Sequence, residues 1–366
     1  TANGFSKTGY TFAGWSTSAD GNVVYSDQQP VKNLTVTNGA NITLYAKWTP
    51  NKYTVKYDAN GGTSGSTENS SHTYDQAKNL TANGFSRTGY TFKGWSTSVS
   101  GGVVYKDQQS VKNLSTTNGG TVTLYAVWQV NTYTNSISHW TYGYTNQEGN
   151  NGSKNAYHLG TTTFTKKYNE SYTLGTANAM TIPNGFYLSQ NYGTSSINGS
   201  WKSYAFGTNI KQNAGSMSFE YDYYPNTYSI TYNLNGGTNN SANPTTYNVL
   251  YGKTFLNPSR TGYQFNGWYD GSTKVTGINV GKNASFSSPT DLYNQLSTRT
   301  TGNKTISAKW TANKYSVIFN ANGGSGSMSN QSFTYDQSQN LTANGFSKTG
   351  YTFAGWSTSA DGNVVY

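Results

Sequence analysis

Apolar and polar positions alternate along much of this chain, and the alternation breaks on glycine-rich turns at places that recur. The pattern opens as YTVKYDANGG from Tyr53, YSITYNLNGG from Tyr228 and YSVIFNANGG from Tyr315. In the first of these, Tyr53, Val55 and Tyr57 share one side with polar residues between them, the two-residue period of a half-buried strand. Asn60-Gly61 then supplies the positive φ that a tight turn requires. A second alternating stretch has Ile42, Leu44, Ala46 and Trp48 on one face and Thr43, Tyr45 and Lys47 on the other, which predicts another strand. A single helix is signalled at 288–296. Ser288 stands as N-cap, Pro289 at the first position, Asp291 three residues on, and Leu292 and Leu296 on one face.

These stretches belong to an internal repeat. Residues 1–48 align without a gap on 81–128 at an offset of 80, anchored by GYTFAGW (9–15) against GYTFKGW (89–95) and ITLYAKW (42–48) against VTLYAVW (122–128). GYQFNGW (262–268) and TISAKW (305–310) mark a further copy, and another starts at Tyr315. Residues 342–366 repeat 1–25 residue for residue, so Tyr366 can be followed by Ser26. The expectation is one period of a tandem array, with about 85 residues per domain. The expected division is 1–48, 53–128, 134–225, 226–312 and 315–366, the first and last being complementary parts of a copy. Residues 134–225 lack the anchors. Strand-like stretches at 161–165, 185–188, 201–206 and 216–224, punctuated by Gly and Asn, predict an unrelated antiparallel β domain there. Linkers such as Thr49-Pro50-Asn51-Lys52 are so short that neighbours should sit end to end with restricted bending. The fold class expected is therefore mainly β, with α+β repeats and an inserted antiparallel β domain arranged as an extended fibre.

The three anchors, in that order and at domain spacing, resemble the Listeria-Bacteroides repeat, the internalin B-type B-repeat of bacterial surface proteins. The resemblance covers everything except the central segment. It implies a β-grasp-like fold, secretion, a place on a bacterial cell surface or matrix, and a spacer or adhesive role. It implies no catalytic residues.

Composition changes the picture in two ways. The 366 residues are only 33% hydrophobic and 10% charged, which would suggest disorder were it not for 32 Tyr, 15 Phe and 9 Trp. Rings that each bury about 150–250 Å² replace Leu and Ile as core material. The repeated Trp15, Trp48, Trp95, Trp128, Trp268, Trp310 and Trp356 should form such cores. Cysteine is absent, so disulfides, thiol catalysis and Cys-based metal sites are excluded. No apolar run approaches the roughly 18 residues of a membrane span, so no membrane insertion is expected.

Candidate chemistry is sparse. His72, His139 and His158 do not have metal-ligand spacing, although His139 and His158 could meet beside Glu148 or Glu170. Gly252-Lys253-Thr254 ends like a phosphate loop, but Tyr247 stands where such a loop needs glycine. Glu220 and Asp222 form the best carboxylate pair, two apart on a strand and so on one face; a solvated sheet edge explains them more simply. The net charge of +10 is uneven. Residues 226–312 hold seven cations against Asp270 and Asp291, and Arg299, Lys304 and Lys309 are the candidate contacts for an anionic cell-wall polymer. No motif supports specific nucleic-acid binding. Trp140, Tyr142 and Trp201 lie outside the repeat, beside amides and acids, and are the candidate ligand residues for a glycan.

The sequence therefore reads as a non-enzymatic, extracellular tandem-domain protein without cofactor or metal. Its expected partners are neighbouring copies of the same unit, end to end, in a stalk, filament or matrix fibre. The alternative is an adhesin whose central domain binds a glycan or host ligand.

Overall fold

The computed structural model describes residues 1–143, 156–280 and 286–366. The complete repeat 53–128 is a four-stranded sheet of β3 (Lys52–Asp58), β4 (Ser70–Thr73), β5 (Tyr90–Ser96) and β6 (Thr121–Val130), preceded by β1 (Tyr10–Ser16) and β2 (Tyr45–Pro50) of the copy before it. Its order is β4-β3-β6-β5. The first and last strands run parallel in the middle, with antiparallel strands on both sides. This is the β-grasp arrangement, and it forces the chain to close each domain at its centre.

Alternation fills the core as the pattern predicts. Tyr53, Val55 and Tyr57 from β3 meet Leu124 and Ala126 from β6 around the fully buried Trp95. At the turn, Asn60 and Gly61 take φ of 44° and 86°, and the Asn60 amide donates to the Ala126 carbonyl, tying the hairpin to the closing strand. Residues 315–366 align with the first part of the repeat 53–128, and residues 1–50 with its second part.

The central domain differs from expectation. It contains β7 (Thr132–Tyr142), β8 (Ala156–Lys167), β9 (Phe186–Thr194), β10 (Lys202–Ala205) and β11 (Ser218–Pro225), in the order β8-β7-β11-β9-β10. β7 and β11 are parallel, so the sheet is mixed rather than antiparallel. Its topology is that of the repeats with one strand added. Tyr192, fully buried opposite Tyr221, takes the place that Trp95 holds opposite Ala126. The relation is hidden in sequence because β7 turns Asn135, His139 and Thr141 inward, polar residues that its pattern gives no reason to bury.

The next domain repeats the arrangement with β12 (Tyr228–Asn233), β13 (Thr246–Tyr247), β14 (Tyr263–Asp270), β15 (Thr273–Val275) and β16 (Lys304–Ala312), and adds α1 (Pro289–Ser297). Ser288 caps α1, its Oγ accepting from the Asp291 amide at 3.1 Å. Leu292 and Leu296 are fully buried, in the core of the central domain, with Leu174, Tyr223 and Phe186. The two domains thus share one core, beside a second that the later domain forms around Trp268. β17 (Lys314–Val317) and β18 (Gln331–Thr334) begin the following copy.

Candidate functional site

One construction joins every pair of successive domains. β2 and β3 are separated by Asn51 alone, β6 and β7 by Asn131, and β16 and β17 by Asn313; Asn226 and Thr227 lie between β11 and β12. In each case the asparagine amide donates back to a glycine carbonyl of the preceding domain: Asn51 to Gly9 at 2.9 Å, Asn131 to Gly89 at 2.9 Å, Asn226 to Gly185 at 2.8 Å and Asn313 to Gly262 at 2.8 Å. The four glycines have φ between 76° and 78°, a region costly for other residues. They are also covered. A Cβ on Gly9, Gly89 or Gly262 would lie within 2.3 Å of the ring of Tyr74, Tyr168 or Tyr335, and on Gly185 within 2.2 Å of Val249.

The tyrosine after the glycine completes the contact. Tyr10 meets Tyr74 edge-on at 5.7 Å, Tyr90 meets Tyr168 at 6.0 Å and Tyr263 meets Tyr335 at 5.8 Å. Lys7, Arg87 and Arg260 cover the outer faces of Tyr10, Tyr90 and Tyr263 at 3.6–3.9 Å. The Tyr10 hydroxyl donates to Asp75 and the Tyr263 hydroxyl to Asp336, at 2.8 and 2.9 Å. Hydrogen bonds from Asn113 and Tyr10 hold the Asp75 carboxyl below the usual carboxylate range. The glycine and tyrosine of GY-x-F-x-GW therefore serve the junction, while its phenylalanine and tryptophan serve the core. The four linker asparagines were the missed signal: they follow the closing strand at every boundary, including the one after the central domain.

A second constellation lies on the outer face of the central sheet. Parallel pairing of β7 with β11 sets Ser138 beside Glu220 and Trp140 beside Asp222. Tyr142 stacks on Tyr224 at 5.3 Å, and Tyr224 continues to Tyr187 at 6.0 Å. The Tyr142 hydroxyl donates to Glu220 Oε1 at 3.4 Å. Trp140 packs on His158 at 4.7 Å, and Trp201, 53% exposed, lies over Gly193, which pairs with Glu220. The structure thus brings Trp140, Tyr142 and Trp201 to one face, with Glu220 and Asp222 between them. Glu220 is buried on a central strand, not at a solvated edge. Burial, then the charge and hydrogen bond of Glu220, push Asp222 up to about 7.

The remaining candidates are placed elsewhere. Arg299 is 7% exposed; its guanidinium donates to the Val249 and Leu250 carbonyls and lies near Phe286, clasping the end of α1. Lys304 pairs with Asp270 at 2.8 Å, and Lys309 stacks on Tyr269 at 3.9 Å. His139 is fully buried between the Tyr223 hydroxyl and Thr162, and desolvation, with the charge of His158, pushes it down to about 4. Glu148 lies outside the described residues. Among the described residues no group of three or more metal-ligating side chains converges, and no helix is long and apolar enough to cross a membrane.

Comparison with known proteins agrees with the repeat geometry. The Listeria-Bacteroides repeat domain matches residues 1–47, 53–127, 228–295 and 315–366, and the chain belongs to this family. Two relatives come from Evansella cellulosilytica. One, described as "Putative Gly-rich membrane protein", is 28% identical over 330 residues, covering 87% of this chain and 32% of the relative. The other, "Putative membrane protein", is 25% identical over 335 residues, covering 88% and 42%. The chain thus spans well under half the length of these relatives. Among solved structures, the Bacillus anthracis TIE protein aligns over 74% of this chain and 54% of its own, at 10% identity and a TM-score of 0.28.

Proposed function

We propose that this chain is a stretch of a stiff extracellular stalk or filament on a bacterial surface, a spacer whose length is set by the number of domains. The observation that carries the reading is the junction, repeated at Asn51, Asn131, Asn226 and Asn313 with the same amide-to-glycine bond. A globular assembly has no need of one recurring end-to-end joint, whereas a stalk must resist bending at every one. Family membership and the membrane-protein descriptions of the relatives are consistent with surface display. The spacer reading calls for no catalytic group.

The test is small-angle scattering of the whole chain beside a variant with a Gly-Ser-Gly-Ser insertion after Asn131. Domains of about 85 residues have diameters near 30 Å, so a locked series should reach a maximum dimension of roughly 120–160 Å. The insertion should broaden the distance distribution and lower its mean. A compact particle for the parent chain, or no change on insertion, would remove the stalk function.

A further inference from the structure

The central domain keeps the core of its neighbours and changes the opposite side of the sheet. Register makes Tyr221 the counterpart of Ala126 in the repeat 53–128 and of Ala308 in the next domain. The outward positions on either side of these residues are Tyr125 and Val127 in one, Ser307 and Lys309 in the other, and Glu220 and Asp222 in the central domain. β7 also runs beyond the end of its counterpart β3, and Trp140 and Tyr142 lie in the added length.

Gly193 gives the clearest sign of a built surface. Its φ is not in the left-handed region, so the backbone does not require glycine there. A Cβ would lie 2.2 Å from Trp201 Cζ2 and 2.9 Å from Cη2, so any other residue would push the indole off the strand. The missing side chain lets the indole lie against the strand while more than half of Trp201 stays in solvent. Two strands further across stands Trp140, a lateral separation of about 10 Å at ordinary strand spacing. Between them, Asp222 Oδ1 has no hydrogen-bond donor among the described residues.

We infer that the outer face of the central sheet is a saccharide-binding platform for a neutral hexose polymer, with Trp201 and Trp140 stacking on sugar rings and the partly exposed Asp222 carboxyl meeting their hydroxyls. A pyranose offers an apolar C–H face to an aromatic ring and a rim of O–H donors to a carboxylate, so it satisfies both features together. The negative charge that the Glu220–Asp222 pair shares repels a polyanion, and an apolar peptide would cover the pair without pairing it. The spacing of the indoles exceeds one sugar ring, which favours a chain over a monosaccharide. This site is independent of the junctions, and a stalk without it would still be a stalk.

The test is affinity electrophoresis of the whole chain through gels containing soluble glucan, mannan, galactan or N-acetylglucosamine oligomers, with hyaluronate and chitosan as anionic and cationic comparators. At least one neutral polymer should retard the chain. Trp201→Ala should weaken retention about ten-fold, the scale of one lost ring contact, and Asp222→Val, which installs the residue of the repeat 53–128, should weaken it too. As a readout free of variants, the nine tryptophans can be labelled with 5-fluorotryptophan; the binding polymer should shift the Trp201 and Trp140 resonances. The proposal is overturned by retardation with chitosan or hyaluronate only, by no retardation in any neutral polymer, by equal retention of Trp201→Ala, or by shifts confined to other tryptophans.

Discussion

Gly262, with φ of 78° and the Tyr335 ring where a side chain would be, shows how little at the level of single residues holds two domains together. Gly262→Ala adds one methyl that must displace this ring and strain the backbone, at a cost of about 1–3 kcal/mol. The cost falls on the junction and not on either core. Amide exchange of Asn313, which donates to Gly262, should accelerate by one to two orders of magnitude while exchange of core amides beside Trp268 is unchanged. Equal acceleration in both places would mean that the glycine supports the domain instead. Asp222 and His139 give a second residue-scale prediction, because burial moves them in opposite directions. Asp222, raised to about 7, keeps its proton when folded but not when unfolded, so its contribution declines as pH rises from about 4 to about 7. His139, lowered to about 4, makes the opposite contribution as pH rises from about 4 to about 6.5. Urea midpoints of Asp222→Asn should therefore gain on the parent as pH is raised towards 7 and hold that gain above it. A constant difference across this range would refute the assignment. None of this was legible in sequence: Glu220 and Asp222 could be placed on one face, but not on a central strand.

Elements were read more easily than their destinations. The helix at 288–296 was marked by its cap, its proline and its leucine spacing, all local properties, and α1 occupies Pro289–Ser297. That Leu292 and Leu296 enter the core of the preceding domain has no local signature. Asn184 donates to the Leu296 carbonyl at 2.8 Å and the Tyr293 hydroxyl to the Thr181 carbonyl, both across the domain boundary. Leu296→Ala should cost about 2–5 kcal/mol and lower the melting of residues 132–225 and 228–312 together. Ser288→Ala, which removes the cap, should do the same by about 1 kcal/mol. Trp95→Ala should cost about 3–5 kcal/mol and act on 53–128 alone, whose core draws on no other domain. Hydrogen exchange by mass spectrometry separates these outcomes, and a Leu296→Ala effect confined to 228–312 would contradict the shared core. The parallel pair in the central sheet is hidden in the sequence for a related reason. A parallel pair joins residues more than 80 positions apart in the chain, as in Ser136 with Ser218, and strand alternation carries no information about direction.

For the whole molecule, the repeat period and the brevity of the linkers were visible in the sequence, and they already implied domains in series. The locking was not, because it depends on three separate places meeting: the GY of one domain, the linker asparagine, and the residue after the second strand of the next domain. The absence of cysteine makes the decisive measurement simple. Lys93 in the repeat 53–128 and Thr163 in the central domain are both exposed, and each can be changed to cysteine and spin-labelled. Double electron-electron resonance then reports the distance across the Asn131 junction. A locked junction predicts one narrow distance distribution, broadened by Tyr168→Gly, which removes the ring from Gly89. A broad distribution in the parent chain, indistinguishable from that of Tyr168→Gly, would contradict the account.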